Sequence, residues 1–190
     1  RFSSASDTEV IVHLYEELGE RCIDELRGMF ALAIWDADRR RLFLARDRLG
    51  IKPLYYVKGN GWLSFASEIK ALLVDQRIPR AVDLDGLSSF LSLKYVAAPG
   101  TMFESVEALP PGYTLTCNEH GVVARPYWDL SFERTGERLT DQEYEDQLEA
   151  LLRESVKCHL ESDVPVGAFL SGGIDSSTIV ALMSQMTSAA

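Results

Sequence analysis

The sequence predicts two parts with different folds: an α+β part, followed by the start of a parallel α/β part. Pairs of strand-like segments joined by short turns indicate the first part. A short apolar run, a Gly-Gly loop and a helical pattern follow each other near residue 170, and this order is half of a βαβ unit. We expect the first part at 1–130, a linker at 131–139 and the second part at 140–190.

The first element is a helix. Residues 6–9, Ser-Asp-Thr-Glu, have the form of a capping box, and apolar residues then repeat at helical spacing as far as Leu18. Gly19 suits the C-terminal end of this helix.

Two hairpins follow the helix. Residues 29–35 and 42–46 are strand-like runs around a polar turn, and residues 54–57 and 62–66 flank a second turn. That second turn contains Asn60 and Gly61, which both tolerate positive φ.

The rest of the first part is predicted as short helices and one more strand. Residues 67–74 suit a short helix, and Asp83 could cap a helix over 84–93 with Leu87, Phe90 and Leu91 directed inward. A turn at 110–112 precedes a strand at 113–117. Arg46, Asp47 and Glu68 are charges beside apolar strands, and a structural role explains them as well as a site does.

The second part opens with another capping box at 140–143 and a helical stripe formed by Tyr144, Leu148, Leu151, Leu152 and Val156. Residues 164–170 form a short apolar run, which is typical of a strand buried on both faces. A helix over 178–183 follows the glycine loop.

Composition excludes several classes of protein. The hydrophobic fraction of 46% is that of a globular protein, and the net charge of −10 argues against a nucleic-acid partner. No apolar run approaches the roughly 20 residues that span a bilayer. Three distant cysteines exclude a disulfide framework by their spacing and suit the cytoplasm.

The loop Ser171-Gly172-Gly173-Ile174-Asp175-Ser176 is the sharpest functional signal. Two glycines let the backbone pass close to an anion, and the following helix directs N–H groups and its positive dipole end toward it. Asp175 could hold a magnesium ion that bridges phosphate oxygens. The alternative is a plain turn that caps a helix; the strand and helix patterns on either side favour phosphate binding.

This loop resembles that of the ATP-pyrophosphatase (PP-loop) family, which cleaves ATP between its α- and β-phosphates. The resemblance implies that ATP and Mg²⁺ are the cofactors and that a Rossmann-like domain begins here. It assigns ATP or pyrophosphate binding to six residues: Leu170, Ser171, Gly172, Gly173, Asp175 and Ser176. Asp175 is also the implied metal ligand.

Four further motifs resemble the class II glutamine amidotransferase domain of the asparagine synthetases. They are Ser6-Asp7-Thr8-Glu9-Val10-Ile11, the Gly28-Met29-Phe30-Ala31 segment, the 46–55 segment Arg-Asp-Arg-Leu-Gly-Ile-Lys-Pro-Leu-Tyr, and the 66–72 segment Ala-Ser-Glu-Ile-Lys-Ala-Leu. The resemblance implies an incomplete Ntn-type αββα sandwich at 1–130 and, at 140–190, the start of the synthetase domain.

In that family an Asp at the position of Asp7 receives the α-amino group of glutamine, so the resemblance assigns glutamine binding to Asp7. Without the resemblance, helix-dipole stabilisation would explain Asp7 better. The family's nucleophile is an N-terminal Cys. Residue 1 here is Arg and the three cysteines are internal, so no catalytic residue is predicted in this chain.

The resemblance implies a parent protein that makes asparagine from aspartate, with ammonia released from glutamine and channelled to an aspartyl adenylate. Three alternatives stay open: an amidotransferase for another carboxylate, a non-catalytic regulatory module, and a tRNA-modifying PP-loop enzyme, against which the charge counts. A homodimer is one option for the assembly. Both ends look cut, so we expect an internal piece that is inactive and poorly soluble by itself.

Overall fold

The computed structural model describes residues 2–4, 6–133, 136 and 138–187. The chain divides into two compact units, Arg1–Ser131 and Phe132–Ala190. Residues 134, 135 and 137 of the predicted linker lie outside the described residues, as do the last three of the predicted second part.

The first unit combines helices with antiparallel strands. Its helices are α1 (Asp7–Leu18), a 3₁₀ helix (Gly19–Asp24), α2 (Ile69–Leu72) and α3 (Leu84–Leu93). Its strands are β1 (Ala31–Asp36), β2 (Arg41–Arg46), β3 (Tyr55–Gly59), β4 (Trp62–Ala66), β5 (Glu107–Ala108), β6 (Tyr113–Asn118) and β7 (Gly121–Pro126).

The strands form two antiparallel sheets, in the orders β1-β2-β6-β7 and β4-β3-β5. Both predicted hairpins are confirmed, as β1-β2 and β3-β4. In the second hairpin Gly59 pairs with Trp62, which leaves Asn60 and Gly61 as the two turn residues, with Gly61 at φ +77°. The predicted mixed α and β first part is therefore present, with antiparallel sheets.

Side-chain alternation along β2 explains how the layers stack, because successive residues of a strand point to opposite faces. Phe43 and Ala45 pack against Tyr15 of α1. Leu44, on the other face, packs with Tyr56 of the second sheet. A third core lies on the far side of the second sheet and contains Val57, Leu72, Ile78 and Val106. The order across the unit is α1, first sheet, second sheet, α2.

The prediction for α3 is right in its bounds, but of the three residues expected to face inward only Leu87 is half-buried. Asp83 caps the helix by accepting the Gly86 N–H at 2.7 Å, as expected. However, Phe90 is 47% exposed and Leu91 is 73% exposed. The helix instead approaches its neighbour through Gly86, where a Cβ would lie 2.1 Å from the carbonyl oxygen of Thr101. A glycine contact gives no apolar signal in the sequence.

The sequence patterns did not predict two of the strands, β5 and β7. β5 has only two residues, and most of β7 is exposed, so neither carries the apolar alternation that marks a strand. The helix expected at 67–74 is also shorter, at Ile69–Leu72.

The second unit contains α4 (Asp141–Leu160) and α5 (Ile174–Met186), which pack on each other. The predicted capping box is confirmed, since Thr140 and Glu143 bind each other's backbone N–H groups. In the predicted stripe only Val156 is buried, while Tyr144 is 52% exposed. Even with α4 at 20 residues, no helix in the described part of the chain is long and apolar enough to cross a membrane.

The strand predicted at 164–170 is wrong. These residues have no regular structure and are exposed, and Phe169 is fully exposed. A strand needs a neighbouring strand to accept and donate its backbone hydrogen bonds. The described residues of the second unit include no other strand, so the run has nothing to pair with.

Candidate functional site

Asp7 lies in the first turn of α1 and its side chain is exposed. Ser6 is the N-cap residue, and its Oγ accepts the Thr8 N–H at 3.2 Å. One oxygen of the Asp7 carboxylate accepts the Thr8 hydroxyl at 3.4 Å. The helix dipole stabilises a carboxylate at this position, and its solvent-facing side leaves it accessible to a cationic group such as an ammonium.

Glu9 does not complete the predicted capping box. Its carboxylate turns away from Ser6 and accepts the backbone N–H groups of Ser3 and Ser4, both at 2.6 Å. The hydroxyls of Ser3 and Ser4 donate to it as well. The hydrogen bonds from Ser4 and Ser3 lower the pKa of Glu9 to about 2. The acidic side chain therefore holds the segment before the helix. Ser6 is the N-cap residue, but the predicted capping box at residues 6–9 is wrong, because the Ser6 Oγ accepts from Thr8 and the Glu9 carboxylate does not accept from Ser6.

The start of α1 lies at the same end of the first sheet as the loop that follows β2. Thr8 and Ala31 line one groove of about 870 Å³ between α1 and β1, and near the other end of α1 the Tyr15 hydroxyl donates to Asp36, the last residue of β1, at 3.1 Å, so the two elements run in the same direction. Ala31 pairs with Arg46, and the next residue, Asp47, donates its N–H to the Phe30 carbonyl at 2.9 Å. Asp7 and the Arg46–Asp47 motif therefore share one edge of the unit.

Asp47 shapes that loop from inside. Its side chain is 1% exposed, and its carboxylate accepts three backbone N–H groups, from Leu49 at 3.2 Å and from Ile51 and Lys52 at 2.9 Å. Several backbone donors compensate the burial of a carboxylate. Asp47 thus has a structural role, which is one of the two interpretations that the sequence left open.

Arg46 binds the same loop through carbonyl groups. Its guanidinium donates to the carbonyls of Gly50, Lys52 and Leu109 at 2.7, 2.8 and 2.6 Å. Glu68, by contrast, makes an exposed ion pair with Lys70 at 2.6 Å. An Asp followed three residues later by a Gly is a pattern typical of turns, so the sequence could have indicated that Asp47 stabilises a turn. Nothing in the sequence indicated the partners of Arg46.

The glycine loop of the second unit leads directly into α5. Gly172 has φ +82°, which favours glycine, and Gly173 is the N-cap residue. The hydroxyls of Ser171 and Ser176 lie 2.9 Å apart. No side chain among the described residues caps the N-terminus of α5, so its first N–H groups face solvent. This end of the helix can accept an anion.

All six residues assigned to the loop are at or near the surface. Leu170 is 62% exposed, and Asp175 is exposed within the first turn of α5. In the described part of the chain there is no cluster of three or more potential metal ligands. Asp175 alone could give one oxygen ligand to Mg²⁺, which commonly takes one or two carboxylates together with substrate phosphates and water.

The cysteines do not form a second candidate site. Cys22 is fully buried and its pKa is raised, mainly by burial, so its reactive thiolate form is suppressed. Cys117 is half-buried and Cys158 is exposed, and all three are free thiols.

Two family models match the chain in succession. The model described as glutamine amidotransferase domain matches residues 1–128, and the model described as asparagine synthase matches residues 147–190. The chain is 42% identical to asparagine synthetase [glutamine-hydrolyzing] 3 of Bacillus subtilis, over 96% of this chain and 30% of that protein. It is 40% identical to asparagine synthetase [glutamine-hydrolyzing] 1 of the same organism, over 95% of this chain and 28% of that protein.

The chain therefore spans less than a third of the length of these relatives. Among solved structures it is similar to a glutamine phosphoribosylpyrophosphate amidotransferase from B. subtilis, with 17% identity and a TM-score of 0.45 over 97% of this chain and 39% of that one. This structural similarity is too weak to assign a family, so the assignment rests on the sequence matches. Since the first model covers two thirds of the residues, the chain belongs to the glutamine amidotransferase domain family.

Proposed function

We propose that the full-length protein makes asparagine from aspartate, with glutamine as nitrogen donor and ATP as the source of activation. One observation carries the proposal: an amidotransferase match over 1–128 is followed in the same chain by an asparagine synthase match over 147–190. A carboxylate is a poor electrophile, and transfer of AMP to the aspartate side chain creates a leaving group that ammonia displaces. Enclosing the ammonia keeps it from being protonated in bulk water.

In this proposal Asp7 binds the α-amino group of glutamine. Its exposed carboxylate at the start of α1 supports that role. We assign no nucleophile to the described residues; their proposed part is to bind and orient glutamine.

The loop 170–176 would hold the pyrophosphate that leaves ATP. Support comes from the positive φ of Gly172 and from the first turn of α5, which no side chain caps among the described residues. Mg²⁺, when bound, would neutralise phosphate charge, and Asp175 would give it one ligand. The four remaining loop residues, Leu170, Ser171, Gly173 and Ser176, would line the anion.

In this proposal the predicted domains have separate roles. Residues 1–130 would belong to an Ntn-type amidotransferase sandwich, 131–139 to a linker and 140–190 to the start of a PP-loop domain. The order of helix, two sheets and helix in the first unit supports the sandwich. Location in the cytoplasm and assembly as a homodimer stay predictions.

The test is a steady-state assay of the full-length protein with glutamine, aspartate and Mg·ATP, in which asparagine, glutamate, AMP and pyrophosphate are measured together. We expect asparagine and pyrophosphate in equal amounts. Asp175→Asn should abolish both products and leave glutamine hydrolysis, whereas Asp163→Asn, an exposed carboxylate outside the loop, should change neither. Glutamine hydrolysis without asparagine would mean that another carboxylate is amidated.

A further inference from the structure

Glu9 makes more contacts with the chain before α1 than a capping residue needs. Its Oε1 accepts the Ser3 backbone N–H at 2.6 Å and the Ser3 hydroxyl at 2.9 Å. Its Oε2 accepts the Ser4 backbone N–H at 2.6 Å and the Ser4 hydroxyl. Four donors from two consecutive residues bind this carboxylate, and they hold the segment firmly because ionised acceptors form stronger hydrogen bonds than neutral ones.

Ser4 connects these hydrogen bonds to the N-cap residue, Ser6. The Ser6 N–H donates to the Ser4 Oγ at 3.3 Å, and the Ser4 hydroxyl in turn donates to Glu9. Two hydrogen bonds therefore connect the carboxylate of Glu9 to Ser6. Ser6 is the N-cap residue of α1 and directly precedes Asp7.

A second contact holds the same segment. The ring of Phe2 packs edge-on against the ring of His13, with centroids 5.2 Å apart. His13 lies next to Glu9, with its Nε2 3.5 Å from the Glu9 Oε1, and its Nδ1 lies 3.2 Å from the Glu16 Oε2. The Glu9 side chain is only 15% exposed among these groups. Residues 2–4 are therefore folded back along the first two turns of α1.

We propose that Glu9 is a positioning residue for glutamine binding: it fixes the chain before Asp7 and so holds the Asp7 carboxylate where the α-amino group binds. This inference rests on the glutamine-binding role proposed for Asp7. Binding groups that are already oriented avoid the entropy cost of ordering on association. A neutral glutamine side chain at position 9 has one acceptor oxygen, and its NH₂ group would face backbone N–H donors instead of accepting from them.

The alternative is that Glu9 only stabilises the helix. In a capping box the N3 carboxylate binds the N–H of the N-cap residue, which satisfies one of the free donors at the helix start. Here the carboxylate passes Ser6 and binds residues further out. Those contacts order the preceding segment rather than the helix itself, and kinetics can separate the two roles.

The test uses the full-length protein and three variants: Glu9→Gln, Asp7→Asn and, as matched control, Glu16→Gln. Glu16 is on the same helix and also contacts His13, but its side chain is 66% exposed. For Glu9→Gln we expect the KM for glutamine to rise about tenfold, with a much smaller change in kcat, as expected for lost charge-assisted hydrogen bonds. Synthesis from free ammonia, which bypasses the glutamine site, should stay within about twofold. Glu16→Gln should not change the KM.

The outcomes separate the two proposals. If Asp7→Asn raises the KM for glutamine and Glu9→Gln does not, the positioning role is wrong and the glutamine site stands. If Asp7→Asn leaves the KM unchanged, both fail. An equal loss of glutamine-dependent and ammonia-dependent synthesis in Glu9→Gln, together with a lower melting temperature, would mean a purely structural role.

Discussion

The Nη1 of Arg46 donates a 2.6 Å hydrogen bond to the carbonyl oxygen of Leu109, which is 63 residues later in the chain. Arg46 ends β2 in the first sheet, and Leu109 directly follows β5 in the second. The same guanidinium binds the carbonyls of Gly50 and Lys52. One side chain therefore connects the two sheets and orders the loop at the edge that also carries the start of α1.

Replacement of Arg46 by Lys should lower the free energy of unfolding by about 2 to 3 kcal/mol. A lysine has one nitrogen on a flexible stem, so it cannot reach three carbonyls that a planar guanidinium contacts together. Urea unfolding followed by tryptophan fluorescence measures the change. Arg48→Lys, an exposed arginine in the same loop, is the control and should cost under about 0.5 kcal/mol. Equal effects of the two substitutions would contradict the bridging role.

Gly112→Ala should destabilise the protein by more than about 2 kcal/mol, because two penalties combine. Gly112 has φ +68°, and a Cβ there would lie 2.5 Å from the carbonyl oxygen of Trp128. Gly61→Ala is the matched control: its φ is +77°, but nothing lies within 4 Å of its Cβ, so it should cost only about 1 kcal/mol. Thermal unfolding of both variants side by side tests this, and a larger loss for Gly61→Ala would refute it.

The raised pKa of Tyr127 should make the folded state less stable at alkaline pH. Burial raises the pKa of Tyr127 from its ordinary value of 10.0 to about 12, and its hydroxyl donates to the Arg46 carbonyl at 2.9 Å. The folded state then keeps a proton that the unfolded state releases. Its contribution to stability is complete below pH 10 and falls as the pH rises from 10 to 12.

Tyr127→Phe isolates this effect. It should cost about 1 kcal/mol at neutral pH through the lost hydrogen bond. The difference in stability between the wild type and the variant should shrink between pH 10 and 12. Burial also raises the pKa of Tyr56, and this residue is present in both proteins, so the comparison cancels its contribution. A difference that stays constant over this range would show that folding does not raise the pKa of Tyr127.

Gly173→Ala separates folding from phosphate binding in the second unit. Gly173 has φ −79° and ψ 160°, which alanine readily adopts, and its Cβ would make only ordinary contacts with the hydroxyls of Ser171 and Ser176, at 3.7 and 4.0 Å. Stability should change by under about 0.5 kcal/mol. If an anion sits on this loop, the added methyl group should weaken pyrophosphate binding in the full-length protein at least tenfold, as measured by calorimetry.

The outcome for Gly173→Ala also judges the alternative of a plain helix-capping turn. In that case the variant would bind pyrophosphate as the wild type does, or neither would bind it. Gly167→Ala is the control, since nothing lies within 4 Å of its Cβ and it lies before the loop.

Several elements could be predicted from the sequence because their determining contacts are local. The capping contacts of Asp83 and Thr140 join groups three residues apart, and the turn at Asn60 and Gly61 depends on the two residues themselves. For the candidate site, motif resemblance led to Asp7 and to the loop 170–176, while their roles stay proposals. The structure added the partners of these residues, above all those of Glu9.

The sequence by itself determined that α1, α3, α4 and the two hairpins are present, because periodicity, capping and turn residues act over a few residues; it did not fix every helix end, since α2 is shorter than expected and α5 is longer. Tertiary structure decided the rest. It placed Leu109 beside Arg46, turned Glu9 toward Ser3 and Ser4, and left Leu91 exposed where an inward face was expected. It also left residues 164–170 without the strand that their composition favours. The physical reason is common to these cases: a side chain or a strand takes the partners that the fold brings near, and residues distant in sequence supply them.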